Sequence, residues 1–94
     1  MTYEEQVQKN MELGEQFTAY ALEHPDILKK IPEGAEIVFL PEDDSELTAQ
    51  NQKIIARLTS QKQDVIIIRM RPIDRTLQTR IPLPKFMTRN AVIR

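Results

Sequence analysis

Apolar residues recur at three- and four-residue steps between residues 4 and 23: Val7, Met11, Gly14, Phe17 and Ala21, with Leu13 and Tyr20 alongside. That spacing predicts an amphipathic helix. Pro25 ends it, because a proline ring disfavours helical backbone at the preceding His24. Residues 25–30 can restart a short helix with Pro25 in its first turn. Ile31-Pro32-Glu33-Gly34 is a turn signal.

The pattern then changes. Residues 37–40 (Ile-Val-Phe-Leu) and 65–68 (Val-Ile-Ile-Ile) are unbroken apolar runs, each a strand with both faces covered. Between them, Leu47, Ile54, Ile55 and Leu58 mark a second amphipathic helix over residues 45–61. Strand, helix and strand with short connections predict a βαβ unit with parallel strands and a right-handed crossover. The expected fold is a small α/β domain centred on that unit, with the parallel strand pair flanked by helices.

Two strands leave two open sheet edges. Residues 72–94 follow, a basic segment in which Pro82 and Pro84 favour an extended path. Ile73, Leu77, Ile81, Leu83, Phe86, Met87, Val92 and Ile93 make it too apolar for a solvated tail. The reading divides the chain into a compact domain, 1–71, and an extended basic segment, 72–94, that needs a surface to lie on.

Charge sharpens this division. Residues 1–50 hold twelve acids against three lysines, a net of −9, and residues 51–94 hold ten bases against Asp64 and Asp74, a net of +8. Such a split speaks to partners rather than to fold. The chain has no cysteine, which excludes a disulfide framework, a thiolate zinc site and a cysteine nucleophile, and fits a cytoplasmic protein. No signal peptide is visible, and the longest apolar runs are far short of the ~20 residues that span a bilayer, so no membrane partner is expected.

Three stretches carry a family resemblance: Lys9-Asn10-Met11-Glu12-Leu13, Glu23-His24-Pro25, and the continuous block from Ile31-Pro32-Glu33-Gly34-Ala35-Glu36 through Ile37-Val38-Phe39-Leu40 to Pro41-Glu42-Asp43-Asp44. Over residues 9–71 the chain resembles a family of small uncharacterised bacterial proteins, known only as a domain of unknown function. The resemblance implies a compact α/β unit and no known activity.

Candidate chemistry is sparse. Glu42, Asp43 and Asp44 follow the first strand at its carboxyl end, where α/β sheets bind ligands. They are read as a metal- or partner-binding loop, or as helix-start acids, with Asp43 and Glu46 at capping-box spacing. His24 is the single histidine, read as a turn residue rather than a general base. No nucleophile elbow and no phosphate-cradling glycine loop is present, so no catalytic residue and no cofactor is assigned. The partner-binding candidates are Arg69, Arg71, Arg75, Arg80, Lys85, Phe86 and Arg89. These readings converge on a non-enzymatic protein-interaction module, antitoxin-like, whose basic segment meets an acidic partner protein or a second subunit. The alternative is a nucleic-acid-binding protein using the same bases, weakened by the lack of interleaved aromatics other than Phe86. A third reading is a metal-dependent enzyme at Glu42, Asp43 and Asp44.

Overall fold

A computed structural model describes residues 1–74 and 79–89, with backbone alone at 74, 79 and 83–86. Helix α1 (Tyr3–Glu23) starts at Thr2, whose hydroxyl accepts from the Glu5 amide at 3.1 Å. It buries Leu13, Phe17 and Ala21. Val7 and Met11 belong to the same sequence stripe but remain 39% and 57% exposed, flanking the buried row rather than joining it. His24 caps the helix C-terminus, its ring stacked on Tyr20 with centroids 4.1 Å apart. Helix α2 (Asp26–Lys29) is one turn after Pro25, and Gly34 takes the left-handed conformation (φ 82°) that lets the turn reverse.

Strands β1 (Glu36–Pro41) and β2 (Val65–Asp74) run parallel in register Glu36↔Val65 to Pro41↔Met70, joined by helix α3 (Ser45–Ser60). The expected strand-helix-strand unit is therefore present. A third strand, β3 (Thr79–Arg89), pairs antiparallel with β2 and completes a sheet of order β1-β2-β3. The division drawn at Arg71 falls inside β2, and much of the basic segment is sheet.

The backbone explains why these prolines are tolerated. The amides of Glu36 and Glu42 donate to the carbonyls of Asp64 and Met70 on β2. Alternation then turns the backbone groups of Ile37, Phe39 and Pro41 to the outer edge, where a missing N–H costs no ladder bond. Pro72 lies past the last β1–β2 pair, and its lost donor falls on the side where β1 has ended. The β2–β3 register slips between Ile68 and Met70: their partners are Met87 and Pro82, so five steps of β3 span two of β2. An irregularity of this kind lets a strand holding two prolines stay in the sheet.

The core lies between α1 and one side of the sheet: Leu13, Phe17, Ala21, Ile27, Leu47, Ile66, Ile68 and Met70, with Phe39 and Met87 packed against it. Phe17 and Phe39 meet in a tilted pair at 5.8 Å. Helices α1 and α3 touch through a buried amide cluster. Asn51, 1% exposed, donates to Asn10 Oδ1 and to the Phe39 carbonyl, each at 2.8 Å. Its own Oδ1 accepts from Asn10 Nδ2 (3.1 Å) and Gln6 Nε2 (3.2 Å). All four of its hydrogen-bonding positions are thereby filled, which is what allows an amide to sit in a core. Among the described residues no helix is long and apolar enough to cross a membrane.

Candidate functional site

The acidic loop between β1 and α3 is a clasp. Asp44, not Asp43, is the N-cap of α3: its Oδ1 accepts from the Leu47 amide at 3.0 Å. The capping position is thus one residue later than the Asp43/Glu46 spacing suggests. Asp44 Oδ2 also takes the Lys9 ammonium of α1 at 3.0 Å. Burial alone would raise the Asp44 pKa, but the Leu47 amide and the Lys9 ammonium outweigh it and hold the carboxyl below its usual range. Lys9 moves the opposite way, raised by its hydrogen bond to Asp44.

Asp43 serves the other side of the clasp. The Arg80 guanidinium grips it with Nε at 3.0 and 3.1 Å and Nη2 at 2.8 Å. A planar fork on a carboxylate is the most directional ion pair a protein makes. The Arg80 backbone amide is fixed as well, donating to Gln16 Oε1 of α1 at 2.9 Å. One short stretch of β3 is therefore tied to both α1 and the β1–α3 loop. At the opposite end of the strand, the Arg89 guanidinium bonds both carboxylate oxygens of Asp64, just before β2. The Asp43–Arg80 pair joins the acidic half of the chain to the basic half at β3, while Asp64 and Arg89 pair within the basic half.

This sorts the candidates. Arg80 and Arg89 are engaged by the chain's own acids. Arg69 and Arg71 are exposed and, among the described residues, have no ion-pair partner. They alternate with Ile68 and Met70 and so project from the sheet side away from the α1 core, in line with half-buried Ile67. Half-buried Ile81, the β3 partner of Arg71, lies beside them, and Ile73, 57% exposed, ends the row. Arg75 lies outside the described residues, and the side chains of Lys85 and Phe86 lie outside the described side chains.

Asp43 and Asp44 border a cleft of about 590 Å³ that Lys9, Glu12, Leu13, Leu47, Pro72 and Arg80 also line, while Glu42 lines a neighbouring one with Asp43, Arg71, Pro72 and Ile73. The two aspartates face cations already in place, and among the described residues no group of three acids and histidines is set to hold a metal ion. His24 hydrogen-bonds the Tyr20 carbonyl through Nδ1 at 3.0 Å, the geometry of a helix cap.

Sequence reasoning missed the Asn51 cluster. Its signal was available: Asn51 interrupts an otherwise apolar stripe of Leu47, Ile54, Ile55 and Leu58, and a polar residue on a buried helix face needs partners. It also missed that the opposite charges pair within one chain.

No curated protein and no solved structure matches the chain. One family does match, over residues 5–83, reaching past Arg71 into the first part of β3 and so taking in Arg80, which closes the clasp. On a match of that extent, this chain belongs to the family of unknown function DUF5647.

Proposed function

We propose that this protein is a non-enzymatic interaction module, antitoxin-like in plan, that meets an acidic partner protein with the outward row of β2. Arg69 and Arg71 are the contact cations, and Ile73 and Ile81 supply apolar area beside them. The observation that carries this reading is the pairing state of the arginines. Those of β3 are consumed by the fold, while two on the adjacent strand stand exposed and form no ion pair among the described residues, Arg71 sharing a small cleft with Glu42 and Asp43.

Position favours the same row. On the other side of β2, Ile68 and Met70 are fully buried, so the backbone that aims the arginines is fixed by the core. Charges held on a rigid element lose less freedom on binding than charges on a loop. Arginine also suits a carboxylate partner, which it binds bidentately.

The test is titration with polyglutamate and, separately, with duplex and single-stranded DNA and RNA at two salt concentrations. Binding of the acidic polypeptide that is lost in Arg69→Glu/Arg71→Glu, with the fold intact, supports the reading. Sub-micromolar nucleic-acid binding with a steep salt slope replaces it with nucleic-acid recognition through the same residues. Co-expression with the product of the neighbouring gene then tests the antitoxin-like plan, the expected outcome being a complex that the same variant disrupts.

A further inference from the structure

A second surface lies on the outer side of β1. Helix α1 contributes Val7 and Met11, α3 contributes Ile54 and Leu58, and β1 contributes Ile37, together lining a groove of about 530 Å³. Three of these, Val7, Met11 and Ile37, are among the large apolar side chains that the fold leaves exposed, at 39%, 57% and 36%. Single exposed apolar residues mean little, but several converging on one concave site mark an interaction surface.

The strand edge beneath the groove is half closed. Of the outward carbonyls of β1, that of Phe39 accepts from Asn51 and that of Pro41 from the Thr48 hydroxyl at 2.7 Å. Pro41 has no N–H to offer. Ile37 is different: its outward N–H and C=O have no partner among the described residues. A donor and an acceptor on one residue match a second copy of the same residue across a two-fold axis. Antiparallel strands make such a reciprocal pair wherever one residue lies opposite its own equivalent.

Charge on the rim is balanced in the same way. Glu36 and Arg57 border the groove, both exposed and neither in an ion pair among the described residues. A uniformly acidic or basic partner would leave one of them facing like charge. A second copy turned by a two-fold axis offers Arg57 to Glu36 and Glu36 to Arg57.

We infer that this groove is the dimer interface of the protein, in which a second copy of the chain docks by pairing Ile37 with Ile37 and Glu36 with Arg57 across a two-fold axis. Met11 and Val7 of each copy fill the apolar centre, and a six-stranded sheet runs through both. Arg69 and Arg71 do not line this groove, so the inference stands apart from the partner-binding reading, and each can fail without the other.

Sedimentation equilibrium on the full chain near 100 µM tests it, with circular dichroism confirming that every variant is folded. The expected mass is twice 11.0 kDa. Met11→Glu, at an exposed position the monomer tolerates, should weaken association by about tenfold or more by placing an unpaired charge in an apolar interface. Glu36→Arg and Arg57→Glu should each weaken it, and the two combined in one chain should restore it. A wild-type mass of one chain, a dimer indifferent to Met11→Glu, or a double charge exchange that recovers nothing would each overturn the inference.

Discussion

On one side of β2, Ile66, Ile68 and Met70 are 2%, 0% and 0% exposed, while on the other exposure climbs from buried Val65 through half-buried Ile67 to exposed Arg69, Arg71 and Ile73. The first side meets α1 and the core cluster along its whole length. The second is covered only near its start. A single run of sequence thus serves as an anchor on one side and a display on the other. The contrast shows what an unbroken Val/Ile run conveys: two covered faces where the run lasts, and one where arginines begin to alternate with apolar residues.

The sharpest way to break this comparison is to shorten one isoleucine on each side. Ile68→Ala should cost about 3–4 kcal/mol, since a fully buried side chain leaves a cavity, and Ile67→Ala should cost roughly half that or less. Urea denaturation midpoints measure both. Equal losses would mean that the second side is as tightly packed as the first.

Next in size is the amide cluster holding α3 to α1 and β1. Asn51→Ala strands the Phe39 carbonyl, both ends of the Asn10 amide and Gln6 in a partly buried site, an expected loss of about 2 kcal/mol. The same denaturation series checks it. A loss under ~1 kcal/mol would show that water satisfies those groups.

The clasp comes third. Asp43→Ala leaves the Arg80 fork without its carboxylate and should cost about 1 kcal/mol, less at high salt because the pair is partly exposed. Asp44→Asn keeps a capping side chain but removes the charge facing Lys9. The folded Asp44 pKa is depressed, so the stability it adds is complete above the unfolded value near 4 and is lost as pH falls through the folded value. Wild type and Asp44→Asn should therefore differ at pH 7, and the difference should shrink in melts as pH is lowered below about 4.

Smallest of all should be the effect on stability of the outward row. Arg69→Glu/Arg71→Glu should change the unfolding free energy by no more than about 0.5 kcal/mol, as exposed substitutions without native partners do. A larger change would reveal a structural role for these arginines and weaken their assignment to a partner.

Much of the fold is legible in the sequence because periodicity and burial agree there. The α1 and α3 patterns, and the runs at 37–40 and 65–68, each point to one element and one place in the parallel unit. The third strand is harder to read. Pro82 and Pro84 spoil its alternation, and its slipped register against Ile68 and Met70 depends on β2 rather than on its own residues. The candidate site is legible only in part for a similar reason. Charge sorting along the chain is a one-dimensional pattern, whereas the choice of Asp43 for Arg80 and Asp64 for Arg89 is made by strand placement. Arg69 and Arg71 could be picked out in advance because period-two alternation needs no tertiary information.

The register itself has a consequence for the order in which the molecule assembles. Twenty-nine positions separate Glu36 from Val65, the first parallel pair, but only five separate Asp74 from Thr79 across the hairpin. Closing the longer span costs roughly 1.5 kcal/mol more in chain entropy, so the hairpin and α3 should form early and β1 should dock late. Val38, buried on β1, is the place to observe this. In stopped-flow kinetics Val38→Ala should accelerate unfolding and leave the folding rate nearly unchanged, because its contacts are missing from the transition state. The edge strand that the helices secure in the finished protein would then be the last piece to arrive.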